Sequence, residues 1–303
     1  MTDITMSQAG RTRLLAHAAM IGYALLIAGS FSFGSLAAPH IPPAVLNAVR
    51  FLAATLLMGG FAMLRDDGLR LPRAPWRFLL LGALMGAYFV LMFVALRITD
   101  PVSTGAVFTL IPLLAAVFGY FILGQRTRAT VWGGLLIAAA GALWVIFRGD
   151  AARALAFHVG RGEIIFFVGC VCQALYAPLV RLLNRGESVF EFTVWTLAGC
   201  TVCVALFAIP DIGEVDWAGL GTVVWLSLAY LIVFATAISF FLLQYGSMYL
   251  PTAKVFPYGY LIPSFVIGIE ALLGHGWISG TVAVGAGISV LGLLVLLLTA
   301  DTK

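Results

Sequence analysis

Long apolar runs separated by short breaks of charged residues, proline and glycine fill this chain, and a helix that crosses a bilayer needs roughly 20 mostly apolar residues. On that spacing the sequence predicts ten spans, at residues 17–37, 42–63, 75–96, 101–123, 128–148, 162–183, 189–209, 218–242, 253–273 and 278–299. They occupy about two thirds of the 303 residues, so each connection is short and none is large enough for a catalytic domain. Arg11 and Arg13 precede the first span, and Ser35-Leu36-Ala37 looks like a cleavage site. The apolar run from Ala16 to Ala38 nevertheless exceeds the usual signal-peptide core, and the expectation is that it stays as a helix.

Composition turns this pattern into a statement about environment. The chain is 62% hydrophobic and 10% charged, whereas a soluble domain is about 45–50% apolar and about 25% charged. Such a chain cannot cover a water-facing surface, so its expected surroundings are a lipid bilayer. The net charge of +4 is scattered along the chain, which argues against nucleic acid as a partner. With the N-terminus inside, twelve Lys and Arg fall on the inner side; Arg97, Arg148, Arg153 and Arg161 fall outside, and Arg50 lies within span two. This bias predicts an inner-membrane protein with both termini in the cytoplasm.

The chain is also written twice. A shift of 150 or 151 residues pairs Pro101 with Pro251, Ile111-Pro112 with Ile262-Pro263, and Leu123-Gly124 with Leu273-Gly274. The same shift pairs Gly134 and Gly141 with Gly285 and Gly292. Two halves, 1–150 and 151–303, would each hold five helices, and an odd number makes the second copy enter the membrane from the opposite side. The expected fold is all-α, with ten transmembrane helices as two inverted five-helix repeats, and in this plan the substrate site lies at the repeat interface. Proline-broken spans at matching positions point to that site. Pro112 in span four and Pro257 and Pro263 in span nine are therefore candidates for a structural or gating role.

Few polar side chains lie inside the spans, and each is a functional candidate. Arg50 can bind a substrate carboxylate or pin its helix by bonding carbonyls of span one; five guanidinium donors favour the clamp. Lys254 opens the proline-broken span nine, where it can meet an anionic substrate group or snorkel to the cytoplasmic interface. Gln173 sits mid-span, and its amide can bond the ammonium or carboxylate of an amino acid, or a neighbouring helix. Span three carries two stripes. Gly82, Gly86, Phe89 and Phe93 suit a close helix contact, which leaves Leu81, Met85, Tyr88 and Met92 for a cavity. Phe108, Tyr176, Tyr258 and Tyr260 join Tyr88 as the aromatic candidates for a bulky ligand.

Other chemistry is thin. Cys170, Cys172, Cys200 and Cys203 lie in apolar spans without His or paired carboxylates nearby, so no metal and no cofactor is expected. Glu163 and Glu270 are the candidates for proton coupling.

The pieces Gly29-Ser30-Phe31-Ser32-Phe33-Gly34, Pro42-Pro43 and Asn47 to Ala54 resemble the opening of drug/metabolite transporter superfamily proteins of the EamA type. Thr109 to Leu113 and Leu123-Gly124-Gln125-Arg126, followed by Gly134 and Gly141, resemble that family's repeat end. The chain departs from the family where Gly124-Gln125 and Gly274-His275 replace the usual Gly-Glu, which puts any mechanism relying on those glutamates in doubt. The resemblance implies a ten-helix exporter of small metabolites and is strongest to the aromatic amino acid exporter branch. The expected function is a secondary transporter, not an enzyme, that exports amino acids, aromatic ones favoured, by alternating access. Export of threonine-like amino acids or amphipathic drugs is the rival. An intramembrane lipid-modifying enzyme would need a nucleophile or acid pair that the sequence does not offer.

Overall fold

The structure is a computed structural model that describes residues 8–64, 69–99, 104, 107–156, 159–272 and 280–298. Among these residues the chain forms α1 (Gln8–Ala37), α2 (Pro43–Met63), α3 (Trp76–Leu96), α4 (Ile111–Leu123) and α5 (Ala129–Ile146) in the first half. The second half forms α6 (Arg161–Leu183), α7 (Val189–Ala208), α8 (Thr222–Tyr249), α9 (Ile262–Leu272) and α10 (Gly280–Leu298). Seven of them, all but α4, α9 and α10, are long and apolar enough to cross a membrane on their own. Pro101 and Leu273 to His275 lie outside the described residues, as does the side chain of Glu270.

Local chemistry explains where the helices begin. Pro43 and Pro112 occupy the first turns of α2 and α4, where a missing N–H costs no helical bond. Ser188 caps α7 by accepting from the Glu191 N–H at 3.2 Å, and the Glu191 carboxylate accepts from the Ser188 N–H in return. The ninth predicted span is helical in the α sense only from Ile262. Before it run two tight 3-10 turns, Thr252–Lys254 and Phe256–Leu261, because Pro257 and Pro263 remove donors that an α-helix would use. Span four is interrupted differently: Thr104, Val107 and Phe108 are helical, a turn follows at Thr109 and Leu110, and α4 resumes at Ile111, one residue before Pro112. Gln125 accepts a hydrogen bond from the Thr252 N–H at 3.1 Å and ties the α4–α5 connection to these turns.

Two glycine seams show how the repeats meet. In α5 and α10 a Cβ on Gly141 would stand 2.7 Å from the Gly285 carbonyl oxygen, and one on Gly292 2.7 Å from that of Gly134. The pairing is reciprocal: Gly134 and Gly141 are matched by Gly285 and Gly292 at the repeat shift, and each meets the equivalent of the other. That is the signature of a two-fold contact between antiparallel copies. The second seam joins α3 to α7, where a Cβ on Gly82 would lie 2.2 Å from the Gly199 backbone. The glycine stripe of span three thus packs as its spacing predicts. The Met and Tyr stripe is not open, however. Tyr88 turns its ring toward Phe166 of α6, centroids 6.0 Å apart, and is buried.

Candidate functional site

The middle of the bundle holds a chain of neutral polar groups on four helices. Gln173 of α6 donates its Nε2 to the Tyr23 hydroxyl of α1 at 3.1 Å. One turn further along α6, Tyr176 accepts from the Gln244 Nε2 of α8 at 2.8 Å, and the same nitrogen donates to the Thr196 hydroxyl of α7 at 3.1 Å. Thr196 spends its own proton on the Phe192 carbonyl at 2.8 Å, so toward Gln244 it can only accept. This fixes the amide with Nε2 inward and the carbonyl oxygen facing away. Both glutamines are fully buried, and neither Oε1 has a hydrogen-bond partner; the Ser247 hydroxyl, one turn along from Gln244, has none either. A buried polar group left without a partner costs about 1–3 kcal/mol, so two carbonyl oxygens and a hydroxyl in this state call for a reason.

Around this chain the predicted aromatic residues divide. Tyr88 stacks edge-on against Phe89 at 4.9 Å and reaches Phe166. Phe108 lies over Gly259, where a Cβ would meet its ring at 3.0 Å. Tyr258 shares a 2.6 Å hydrogen bond with His17 of α1, and the two line a cavity of about 10 Å³ with Lys254, Pro257, Leu293 and Leu296. Lys254 is buried and lines this cavity instead of reaching an interface. Tyr260 turns the other way. It joins the separate core formed by α5 and α10 and donates its hydroxyl to the Thr109 carbonyl at 3.1 Å. No hydrogen bond links Gln173 to Lys254 among the described residues, and the two stand in different clusters.

Arg50 is a clamp, but its partner is α8 and not span one. Its Nε donates to Thr236 at 2.8 Å and its Nη2 to the Ala235 carbonyl at 3.1 Å. Its guanidinium stands 4.5 Å from the Phe89 ring centroid. Ala235 and Thr236 lie in a π-helical turn, Val233–Ile238, within α8. Such turns loosen the regular ladder and present backbone carbonyls sideways, and here one of them meets the guanidinium. Asn47, one turn before Arg50, caps this arrangement by donating to the Pro43 carbonyl at 2.8 Å.

The ends of the bundle carry further ionised groups. Arg77 at the start of α3 bonds the Leu183 carbonyl and forms an ion pair with Glu187 in the α6–α7 connection. Partial burial pushes the Glu187 carboxyl up, but the bonds from Arg77 and from the Arg185 N–H outweigh it, so its pKa lies below the ordinary 4.5. At the opposite end, Glu163 accepts from the Thr99 hydroxyl and from the Gly160 N–H, which makes it a helix cap. The four cysteines carry no disulfide. No group of three or more His, Cys, Asp or Glu is placed to hold a metal ion among the described residues.

Sequence reasoning did not find Tyr23, Thr196, Gln244 or His17. Gln244 lies two residues past the predicted end of span eight, where Gln244-Tyr245-Gly246-Ser247 interrupts the apolar run. The helix continues to Tyr249 and carries Gln244 inside. His17 stood at the predicted start of span one, yet α1 begins at Gln8. In both cases the available signal was a lone polar residue at the margin of an apolar run.

The chain matches the model of the EamA-like transporter family twice, over residues 14–147 and 160–298. It is 26% identical over 290 residues to the aromatic amino acid exporter YddG of Ancylobacter novellus, covering 93% of this chain and 98% of that one. It is 23% identical over 280 residues to YyaM of Bacillus subtilis, named an uncharacterized transporter, covering 91% of each. A solved crystal structure superposes with a TM-score of 0.72 at 25% identity, covering 92% of this chain and 96% of that one.

Proposed function

This chain belongs to the EamA-like transporter family, and we propose that it exports small metabolites, namely amino acids with aromatic ones favoured, by alternating access about the polar chain between α1, α6, α7 and α8. It is a membrane transporter, as its relatives are, and not an enzyme. The observation that carries the substrate reading is the buried Gln173 amide with an unmet carbonyl oxygen, one turn from Tyr176 and hydrogen-bonded to Tyr23. A neutral amide offers both a donor and an acceptor to a zwitterion without trapping it in an ion pair. Tyr88, whose ring reaches Phe166 on the helix that carries Gln173, supplies aromatic surface, which suits a ring-bearing side chain. The similarity to an aromatic amino acid exporter points the same way.

In this reading the two halves, 1–150 and 151–303, are the moving parts, both termini face the cytoplasm, and the protein sits in the inner membrane. Lys254 with Pro257 belongs to the inner gate, where Tyr258 and His17 close α1 onto the turns before α9. Pro112 and Pro263 mark the matching hinges of the two repeats. The substrate is the partner that matters, together with the bilayer; nucleic acid has no place in it.

The test is efflux from liposomes that hold purified protein and a mixture of amino acids, with and without a pH gradient. Rapid loss of Trp, Phe and Tyr without a gradient is the expected result, because the polar chain is made of amides and phenols. Loss of threonine-like amino acids instead, or no loss of any amino acid, would remove the aromatic reading and leave drug-like amphiphiles as the next candidates.

A further inference from the structure

We infer that the cleft between α4 and α5 is a site for an anionic phospholipid, which places its phosphate at Arg126 and an acyl chain along the aromatic wall. The inference does not draw on the substrate reading, because the cleft lies on the surface of the bundle and away from the polar chain.

The cleft exists because the two helices of this hairpin serve different partners. α4 packs on α6, α5 packs on α10, and the two make little contact with each other. A short connection joins them, with Gly124 in the left-handed conformation that ends α4. Between them lies a cavity of about 450 Å³, in the size range of small-molecule sites. Its wall is Val117, Tyr120 and Phe121 of α4 with Trp132 of α5, and at the connection it is lined by Arg126 and Thr127. Phe121 is 75% exposed and Tyr120 51%, so the cavity opens toward the surroundings of the bundle and not into its core. In a membrane protein those surroundings are lipid.

Charge selects which lipid. From Pro101 to Gly149 the chain holds no Asp or Glu, and its basic residues there are Arg126, Arg128 and Arg148. The hairpin therefore brings two arginines and no carboxylate to the end where the cavity lies. α5 also starts without a side-chain cap, so its N-terminus adds partial positive charge beside them. A phosphodiester suits this end: a guanidinium pairs two donors with phosphate oxygens, and the Thr127 hydroxyl offers a further one. Tyr and Trp rings favour headgroup depth, and basic pockets between helices on the cytoplasmic side, where the proposed orientation puts this connection, take anionic headgroups. A free phosphate ion would leave the aromatic wall unfilled. Gln125 of the same connection accepts from the Thr252 N–H, and a Cβ on Gly119 would stand 3.0 Å from Thr252. A lipid that holds this hairpin thereby steadies its contact with the turns before α9.

The experiment melts the purified full-length protein in neutral detergent with added dioleoylphosphatidylglycerol or dioleoylphosphatidylcholine, which share their acyl chains and differ in headgroup charge. Phosphatidylglycerol is expected to stabilise the protein at concentrations about tenfold or more below phosphatidylcholine, with a smaller difference in high salt. Arg126→Gln should weaken this preference about fivefold, the effect of one arginine near an anionic surface. Phe121→Ala, at an exposed position, should weaken the binding of both lipids. Arg185→Gln removes an exposed arginine from the α6–α7 connection, away from the cleft, and should leave the preference intact. Equal stabilisation of the wild type by the two lipids overturns the inference without any variant. So does a preference that Arg185→Gln and Arg126→Gln reduce alike, which is attraction to net charge and not a site. Inorganic phosphate acting at the same concentrations as phosphatidylglycerol would also overturn it, by showing an ion site that needs no lipid.

Discussion

The Ser289 hydroxyl of α10 donates to the Ala138 carbonyl of α5 at 3.3 Å, 151 positions away and therefore across the axis that relates the two repeats. The Tyr260 hydroxyl bonds Thr109 over the same interval. Around Ser289 the two helices approach closely at their glycines. A Cβ at Gly292 would stand 2.5 Å from the Ala138 backbone nitrogen and 2.7 Å from the Gly134 carbonyl oxygen, atoms that cannot step aside. Gly292→Val is expected to cost at least about 1–3 kcal/mol by overpacking and to lower the melting temperature and folded yield in detergent. Gly287→Ala, where the added carbon meets nothing, should leave both unchanged or slightly raised. Equal loss in the two variants would show that the seam is not the critical contact.

Arg50 tests what a buried cation contributes. Its partners do not depend on it alone, since Thr236 also donates to the Leu231 carbonyl and the Ala235 carbonyl also accepts from Ser239. Removing the guanidinium together with its charge therefore leaves few orphans. Arg50→Met should keep the fold, while Arg50→Lys, which buries a charge without the fork that spans Thr236 and Ala235, should melt lower than Arg50→Met. A higher melting temperature for the lysine variant would contradict the clamp geometry.

The Arg77–Glu187 pair gives a pH dependence with a definite sign. Glu187 titrates below its ordinary 4.5 when folded, so the stability it contributes is present above that value and is lost as the pH falls through the lowered one. Wild type should melt above Glu187→Gln at pH 7, and the gap should close as the pH drops below 4.5. A gap that is constant with pH would mean that the ion pair is not what holds the α6–α7 connection to α3.

The helices themselves were readable because apolar length is what the bilayer selects, and prolines told where regular structure stops. Span nine is the case in point: Pro257 and Pro263 mark the tight turns before Ile262. The partners of the polar groups were less readable. Gln173 stood out because it interrupts the middle of an apolar run, whereas Gln244 sits where the run was already ending and is buried only by α6 and α7 closing over it. The π turn that receives Arg50 has the sequence Val-Phe-Ala-Thr-Ala-Ile, with neither proline nor glycine to announce it. Which helix a buried side chain meets is decided by tertiary packing, and the period of the sequence carries no record of that choice.

Tyr258 and Tyr260 are two residues apart, and their different surroundings predict different phenotypes. Tyr260 donates to Thr109 within the core of α5 and α10, so Tyr260→Phe removes one buried bond and should lower stability by about 0.5–1.5 kcal/mol. Tyr258 meets His17 beside Lys254, between α1 and the turns that lead into α9, where alternating access requires movement. Tyr258→Phe should therefore change the efflux rate by more than it changes the melting temperature. Measuring both quantities on both variants separates the roles: a Tyr260 variant that melts normally but transports slowly would bring that side chain into the substrate path, and a Tyr258 variant that only melts lower would make its bond to His17 a packing contact.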